Sequence, residues 1–205
     1  MKKGIALIST MLTLFLSTAT ANAREDIPRF TYGAEWSGTA AFFTAYHFNY
    51  FSPDGYRYNQ RGVDTKPTFN GEGLLHVGYN VNDKWNLALY TGITGISRIH
   101  NAIPFSFRAT RLFKTNRHGD RWLAFADAGT GVSLKEQPQE ILTLKLGSGY
   151  RFSLSRDSKI DLIAAARCTY THPEIYFEHE PINQRWTNRN DALVMSASIG
   201  MSITF

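Results

Sequence analysis

The sequence predicts an all-β fold, an eight-stranded antiparallel up-and-down transmembrane β-barrel. Three observations lead to this prediction. Segments along the chain alternate apolar with small or polar side chains at a period of two, which is the period of a strand. The connections between these segments are alternately short and long, as in membrane barrels. Aromatic residues concentrate beside the short connections, as expected where a barrel meets the membrane–water interface.

The C-terminal segment, residues 191–205, shows the alternation most clearly. One face carries Leu193, Met195, Ala197, Ile199, Met201, Ile203 and Phe205. The other carries Ala192, Val194, Ser196, Ser198, Gly200, Ser202 and Thr204. An uninterrupted strand of this length suits a tilted membrane crossing better than a typical soluble sheet. We therefore expect this segment to close the barrel with its apolar face toward lipid.

Seven earlier segments repeat the pattern. They span residues 30–43, 72–81, 85–96, 105–114, 121–134, 141–154 and 159–170. Arg111 interrupts the outward apolar face of the fourth segment, and residues 98–104, which end in Pro104, are expected to form a loop before it. Residues 47–70 are expected to form a long first outer loop. Short periplasmic turns and long outer loops are typical of up-and-down barrels, whose even strand number returns both termini to one side.

The first residues predict export. Lys2 and Lys3 precede an apolar run, and Ala21-Asn22-Ala23 has the small-x-small form of a cleavage site, so residues 1–23 are expected to be a secretory signal peptide. The mature chain, 24–205, is then one outer-membrane β-barrel domain. Cys168 is the only cysteine, which excludes an internal disulfide.

Aromatic residues on the outward faces are expected to form an interfacial girdle at the short-turn ends. They are Tyr32, Tyr79, Trp85, Phe113, Trp122, Tyr150, Phe152 and Phe205. The alternative is a soluble, lipocalin-like periplasmic barrel that binds an apolar ligand and has its apolar face inside. Such a barrel would carry Lys, Glu and Thr throughout its outer face, whereas charged residues are sparse at mid-strand in this chain.

The inward faces carry four acidic and four basic residues together with a histidine. They are Glu35, Glu72, His76, Arg108, Asp127, Lys145, Arg151, Asp161 and Arg167. An eight-stranded barrel is just wide enough for side chains to fill it, and buried charges must be paired. We therefore expect these residues to form an interior charge plug, and we expect no substantial ion conductance.

Several classes of function are disfavoured. The formal charge falls from +5 to +3 when Lys2 and Lys3 are removed, and no Lys/Arg run is present, so we expect no nucleic-acid partner. No Gly-rich loop suits a nucleotide, and no histidine spacing suits zinc, so no cofactor or metal is expected. Glu72 and His76 share a face but lie roughly 13 Å apart along a strand, too far to act as a catalytic pair.

At this point the chain resembles the small OmpA/OmpX-like outer-membrane proteins. The cleaved leader, the eight alternating segments and the terminal Met201-Ser202-Ile203-Thr204-Phe205 carry the resemblance. It implies a Gram-negative outer membrane, lipid contact along the barrel, and Phe205 as a signal for the barrel-assembly machinery. Members of the class differ in role, so the resemblance implies a fold and a location rather than an activity.

Two enzyme types share this barrel size. Lipid A deacylases carry a His-x-Ser pair, and no histidine here is followed two positions later by serine. Palmitoyl-transferring barrels use outer-loop His, Asp and Ser residues, and His47, Ser52 and Asp54 supply those types. A lipid A-modifying acyl-transfer enzyme is therefore the alternative to a non-enzymatic protein.

The leading hypothesis is a non-enzymatic surface, adhesion or envelope-structure protein, because the predicted outer loops are rich in aromatic residues that suit partner recognition. The candidates are Tyr46, Tyr50, Phe51, Tyr56, Tyr58, Tyr176 and Phe177. The alternative for these residues is that the two loops only extend the hairpins and pack on each other.

Overall fold

The computed structural model describes residues 28–97, 100–113, 119–134, 140–155, 157–173, 175–177 and 180–205. The predicted signal peptide lies outside the described residues and stays a prediction. In the described part of the chain, no helix is long and apolar enough to cross a membrane.

The described chain is almost entirely strand. The elements are β1 Phe30–Phe51, β2 Arg57–Asp64, β3 Thr68–Asn82, β4 Trp85–Ser97, β5 His100–Leu112, β6 Arg121–Ser133, β7 Glu140–Ser153, β8 Lys159–Thr171, β9 Tyr176–Phe177, β10 Glu180–Pro181, a short 3₁₀ helix at Gln184–Trp186, and β11 Thr187–Thr204.

The sheet closes on itself. Neighbouring strands follow the order β11, β8, β7, β6, β5, β4, β3, β1, and β11 pairs back onto β1. That last pairing is antiparallel and runs from Gly33 opposite Thr204 to Tyr50 opposite Thr187. The predicted eight-stranded up-and-down barrel, with the C-terminal strand closing onto the first, is confirmed. Closure leaves the membrane-level part of the sheet with no unpaired edge.

The expectation of a long first loop at residues 47–70 is wrong. β1 pairs with β3 as far as Ala41 opposite Thr68 and then pairs with β2 from Thr44 opposite Asp64 to Phe51 opposite Arg57. A bulge between Ala41 and Phe43 reverses which residues of β1 face outward. Because a bulge adds one residue to one strand only, the alternation of β1 shifts by one position there. A strict period of two therefore does not continue into the outer half of the strand.

The loop expected at residues 98–104 is also partly wrong, because β5 already begins at His100. Pro104 lies within this strand, opposite Gly131 of β6. On the other side, the pairing of β5 with β4 passes from Phe105 to Ala102 and leaves Pro104 without a partner. The missing proline N–H is therefore accommodated by a gap in one ladder.

The predicted outward face is exposed, and its short-turn end carries aromatic contacts. The rings of Tyr32 and Phe205 stack at 5.7 Å across the closing seam, and those of Trp122 and Tyr150 meet edge to face at 5.2 Å. Arg111, which interrupts the apolar face of β5, lies outward with its guanidinium over two rings of the girdle, 5.7 Å from the ring centre of Trp85 and 5.4 Å from that of Phe113. An interfacial cation on aromatic rings fits this depth of the membrane.

Candidate functional site

The interior holds three groups of ion-paired side chains, which we call the charge plug. In the first, Arg108 of β5 donates to both oxygens of Glu35 at 2.5 and 3.1 Å and to Asp127 at 3.0 and 3.1 Å. Its guanidinium carbon lies 4.0 Å from the ring centre of Tyr90 and 4.3 Å from that of Phe125. One arginine thus links β1, β5 and β6 through the centre of the barrel.

The second group is centred on Glu72 of β3. One carboxylate oxygen accepts from Lys145 of β7, and the other accepts from Arg167 of β8 at 3.0 Å. Arg167 also donates to the Thr94 hydroxyl at 2.8 Å and to the Gly95 carbonyl at 3.0 Å. Its Nε also donates to the Ser196 hydroxyl at 3.3 Å, and these hydrogen bonds reduce the cost of removing the cation from water.

The third group is the pair Arg151–Asp161, joined by two hydrogen bonds of 2.7 Å between adjacent strands. The first group has one more carboxylate than cations, the second has one more cation than carboxylates, and the third is neutral. The eight predicted charges therefore balance only when the three groups are taken together. All eight residues are buried, as the predicted inward facing required.

His76 is the ninth residue predicted for the plug, and it does not join the ion pairs. Its ring stacks on Tyr90 at 4.8 Å, and its Nε2 lies 3.4 Å from the Thr204 hydroxyl. Glu72 binds Lys145 and Arg167 instead of His76. A cavity of about 20 Å³ beside His76, with room for about one water molecule, lies between the first and third groups.

Sequence reasoning missed one interior cation. Arg121 is buried at the short-turn end of the barrel and donates to the carbonyl of Asp83 at 3.2 Å. It stands in the same alternation as Leu123 and Phe125, which both point inward. The period of β6, predicted as residues 121–134, could therefore have placed it.

At the outer end, β11, β1 and β2 continue as a three-stranded sheet that we call the outer sheet. Its inner face carries stacked rings, Tyr46 on Phe48 at 4.9 Å and Tyr50 on Tyr58 at 5.4 Å. Phe177 of β9 contacts Tyr58 at 6.0 Å, so the two aromatic outer segments pack on each other. Tyr50 is only 5% exposed, and burial together with Tyr58 raises its pKa.

The recognition candidates therefore fall into two groups, those on the inner face of the outer sheet and those exposed at the surface. Tyr46, Tyr50, Tyr58 and Phe177 support the outer sheet from inside. Phe51, Tyr56 and Tyr176 are exposed, with Tyr56 at 69% in the turn that joins β1 to β2. Trp186, which sequence reasoning missed, is 47% exposed and precedes Thr187, the partner of Tyr50. No periodicity marks Trp186, because it lies in a single 3₁₀ turn.

The residue types needed for acyl transfer are not brought together. Ser52 is 2% exposed, and its hydroxyl accepts from the backbone N–H of Tyr56 inside the tight turn. His47 lies on the outward face, where its Nε2 is 3.0 Å from Asn59 and 3.3 Å from Arg61. A buried hydroxyl held by its own turn and a histidine engaged elsewhere do not form a nucleophile and base. Among the described residues, no group of three metal-ligating side chains is present.

Comparison with known proteins identifies a fold. No protein-family model matches, and no curated protein is similar in sequence. Among solved structures, the outer membrane protein OprG from Pseudomonas aeruginosa has a TM-score of 0.52 and 10% identity, over 88% of this chain and 97% of that one. Neisserial surface protein A gives a TM-score of 0.47 at 14% identity, over 84% and 97%. Ail of Yersinia pestis gives 0.33 at 16%, over 84% and 99%. The likeness to OprG shows that the chain has the fold of small outer-membrane β-barrels.

Proposed function

We propose that this protein resides in the Gram-negative outer membrane, has a closed interior, and acts without enzymatic activity by recognising a partner at the cell surface. The single observation that carries the proposal is the outer sheet, which raises exposed aromatic side chains above the barrel. Export through residues 1–23 and insertion by the barrel-assembly machinery through Phe205 belong to the same proposal. The aromatic girdle supports the membrane location, because amphipathic rings are most stable at the interface.

The outer sheet is suited to recognition because it is preorganised. β1 and β2 are paired along eight residues each, from Thr44–Asp64 to Phe51–Arg57. The stacked rings of Tyr50 and Tyr58 brace the same hairpin from inside. A partner that docks on a rigid sheet does not have to order a loop, so less binding free energy is lost. Exposed Tyr and Trp side chains are the residue types that most often contribute large shares of interface energy.

The charge plug supports the closed interior, and it leads to a direct prediction. The purified protein, incorporated into planar phosphatidylcholine bilayers, should give no stable single-channel currents, because Arg108 and Glu72 link opposite walls of an already narrow barrel. A sixteen-stranded porin in the same bilayers provides the positive control. Stable, large current steps that scale with the amount of protein would contradict the closed interior.

The recognition role predicts a loss of adhesion when the exposed rings are removed. Bacteria that display the wild type should bind at least one member of a panel of immobilised matrix glycoproteins. The double variant Tyr56→Ala, Trp186→Ala should bind at least about thirtyfold less, because truncating two interface anchors at about 1 kcal/mol each costs about 2 kcal/mol in total. Adhesion is counted by microscopy at equal surface expression.

The matched control is Leu154→Ala, which removes an exposed side chain at the opposite, periplasmic end of the barrel and should leave adhesion unchanged. Wild-type binding no higher than that of cells without the protein, across the whole panel, would rule out a matrix-adhesion role. Increased detergent sensitivity of a deletion strain would then favour the envelope-structure role.

A further inference from the structure

The outward face of the outer sheet changes from apolar to charged within one row of residues. The lower row aligns Leu193, Ala45 and Val63, with Tyr170 paired to Leu193 from the next strand. The row above aligns Asp191, His47 and Arg61. The lower row continues the lipid-facing belt of the barrel, so the boundary between the rows lies at the level of the outer-leaflet head groups.

A groove of about 550 Å³ crosses this boundary. Its apolar floor is formed by Ala45, Val63 and Leu193, and its polar rim includes Arg61 and Arg189. The groove therefore offers contacts of two kinds, apolar ones at the depth of acyl chains and cationic ones at the depth of head groups.

Cations predominate on this face. Its outward positions on the three strands carry Arg57, Arg61 and Arg189 against the single carboxylate Asp191. Burial would raise the pKa of Asp191, but hydrogen bonds from Tyr170 and Arg189 outweigh burial and hold that pKa below its ordinary value. Asp191 is thus ionised at neutral pH and compensates Arg189.

Arg61, unlike Arg189, has no carboxylate partner among the described residues. Its Nε contacts the Nε2 of His47 at 3.3 Å, and it forms no ion pair with any residue in the described part of the chain. Arg57 lies two rows further than Arg61 from the apolar row and binds the Asn49 amide oxygen at 3.1 Å. The guanidinium of Arg61 is therefore the cation of this rim that retains capacity for an external anion, next to the apolar floor.

We propose that this groove binds a phosphorylated glycolipid of the outer leaflet, of the lipid A class, with Arg61 donating to a head-group phosphate and Val63, Ala45 and Leu193 contacting the first carbons of an acyl chain. Arginine suits this role because its planar fork matches phosphate oxygens in two parallel hydrogen bonds. A soluble phosphate would use the rim alone, whereas the continuous apolar floor favours a lipid. The inference rests on the proposed outer-membrane location.

The test measures binding by native mass spectrometry of the detergent-solubilised protein. Diphosphorylated lipid A should bind, and its dephosphorylated form should bind at least about tenfold more weakly, because a hydrogen bond to a charged group contributes about that factor. Arg61→Ala should weaken binding of the diphosphorylated lipid by a similar factor. Arg61→Lys should restore part of it, because a lysine keeps the charge and loses the fork.

Arg185→Ala is the matched control, since Arg185 is an exposed cation of the outer end that does not line the groove. It should leave lipid binding unchanged. An equal loss in Arg61→Ala and Arg185→Ala would overturn the site in favour of unspecific charge attraction. Equal binding of both lipid forms, or complete displacement by millimolar inorganic phosphate, would overturn the lipid assignment. Adhesion by Tyr56 and Trp186 is measured separately, so either proposal can fail alone.

Discussion

Replacing Arg108 with alanine should lower the free energy of unfolding by about 3–5 kcal/mol, the largest effect we expect from a single substitution. The reason is that Glu35 and Asp127 would both remain buried without their cation. Tyr90 and Phe125 would also lose the guanidinium that lies between their rings. Urea titration in phosphatidylcholine vesicles, followed by tryptophan fluorescence, measures the change.

The triple variant Arg108→Met, Glu35→Gln, Asp127→Asn separates two explanations. If the unpaired carboxylates cause the loss, removing the three charges together should recover most of the stability, because neutral replacements of a buried ion group are often tolerated. If lost packing causes it, the triple variant should be as unstable as Arg108→Ala. The outward Arg111→Ala provides the control and should stay within about 1 kcal/mol of the wild type. A change below about 1 kcal/mol for Arg108→Ala would mean that the first ion group is not formed in the folded protein.

Replacing Ile199 with arginine should cost about 2–4 kcal/mol. Ile199 is 77% exposed in the middle of β11, between Gly38 of β1 and Ala164 of β8. The same exposure in a water-soluble barrel would make an arginine harmless, so the substitution tests the membrane orientation as well as the position. The same urea titration in vesicles measures the effect.

The neighbouring inward position supplies the comparison for Ile199. Ser198→Ala should change the free energy of unfolding by under about 1 kcal/mol, because it removes one small hydroxyl from the opposite face. Equal effects of the two substitutions would mean that the two faces of β11 are reversed. No effect of Ile199→Arg would mean that β11 does not face lipid at this depth.

Periodicity predicted most of the barrel because each strand buries one face, and a one-residue shift would turn every side chain to the wrong side. It placed Glu35, Arg108 and Asp127 inside before their partners were known. Periodicity gave wrong predictions at a bulge and at a proline within a strand. The bulge at Ala41 and Phe43 reversed the alternation of β1, so the outer half of that strand and all of β2 were taken for a loop. Pro104 likewise suggested a loop, although it occupies a gap in one ladder.

For the candidate sites, too, the sequence determined some features and the tertiary structure decided others. The sequence alone determined the two faces of the closing strand and the inward direction of Glu35, Arg108 and Asp127, because these depend only on alternation. Only the tertiary structure decided the ion-pair partners. Arg108 pairs with Glu35 and Asp127, whereas Glu72 pairs with Lys145 and Arg167. These partners are distant in sequence, and the distances between them depend on the tilt and stagger of the strands. It also decided that Tyr50 is buried and Tyr56 exposed, and that Arg61 lies above an apolar floor, because these follow from which strands meet at the outer end.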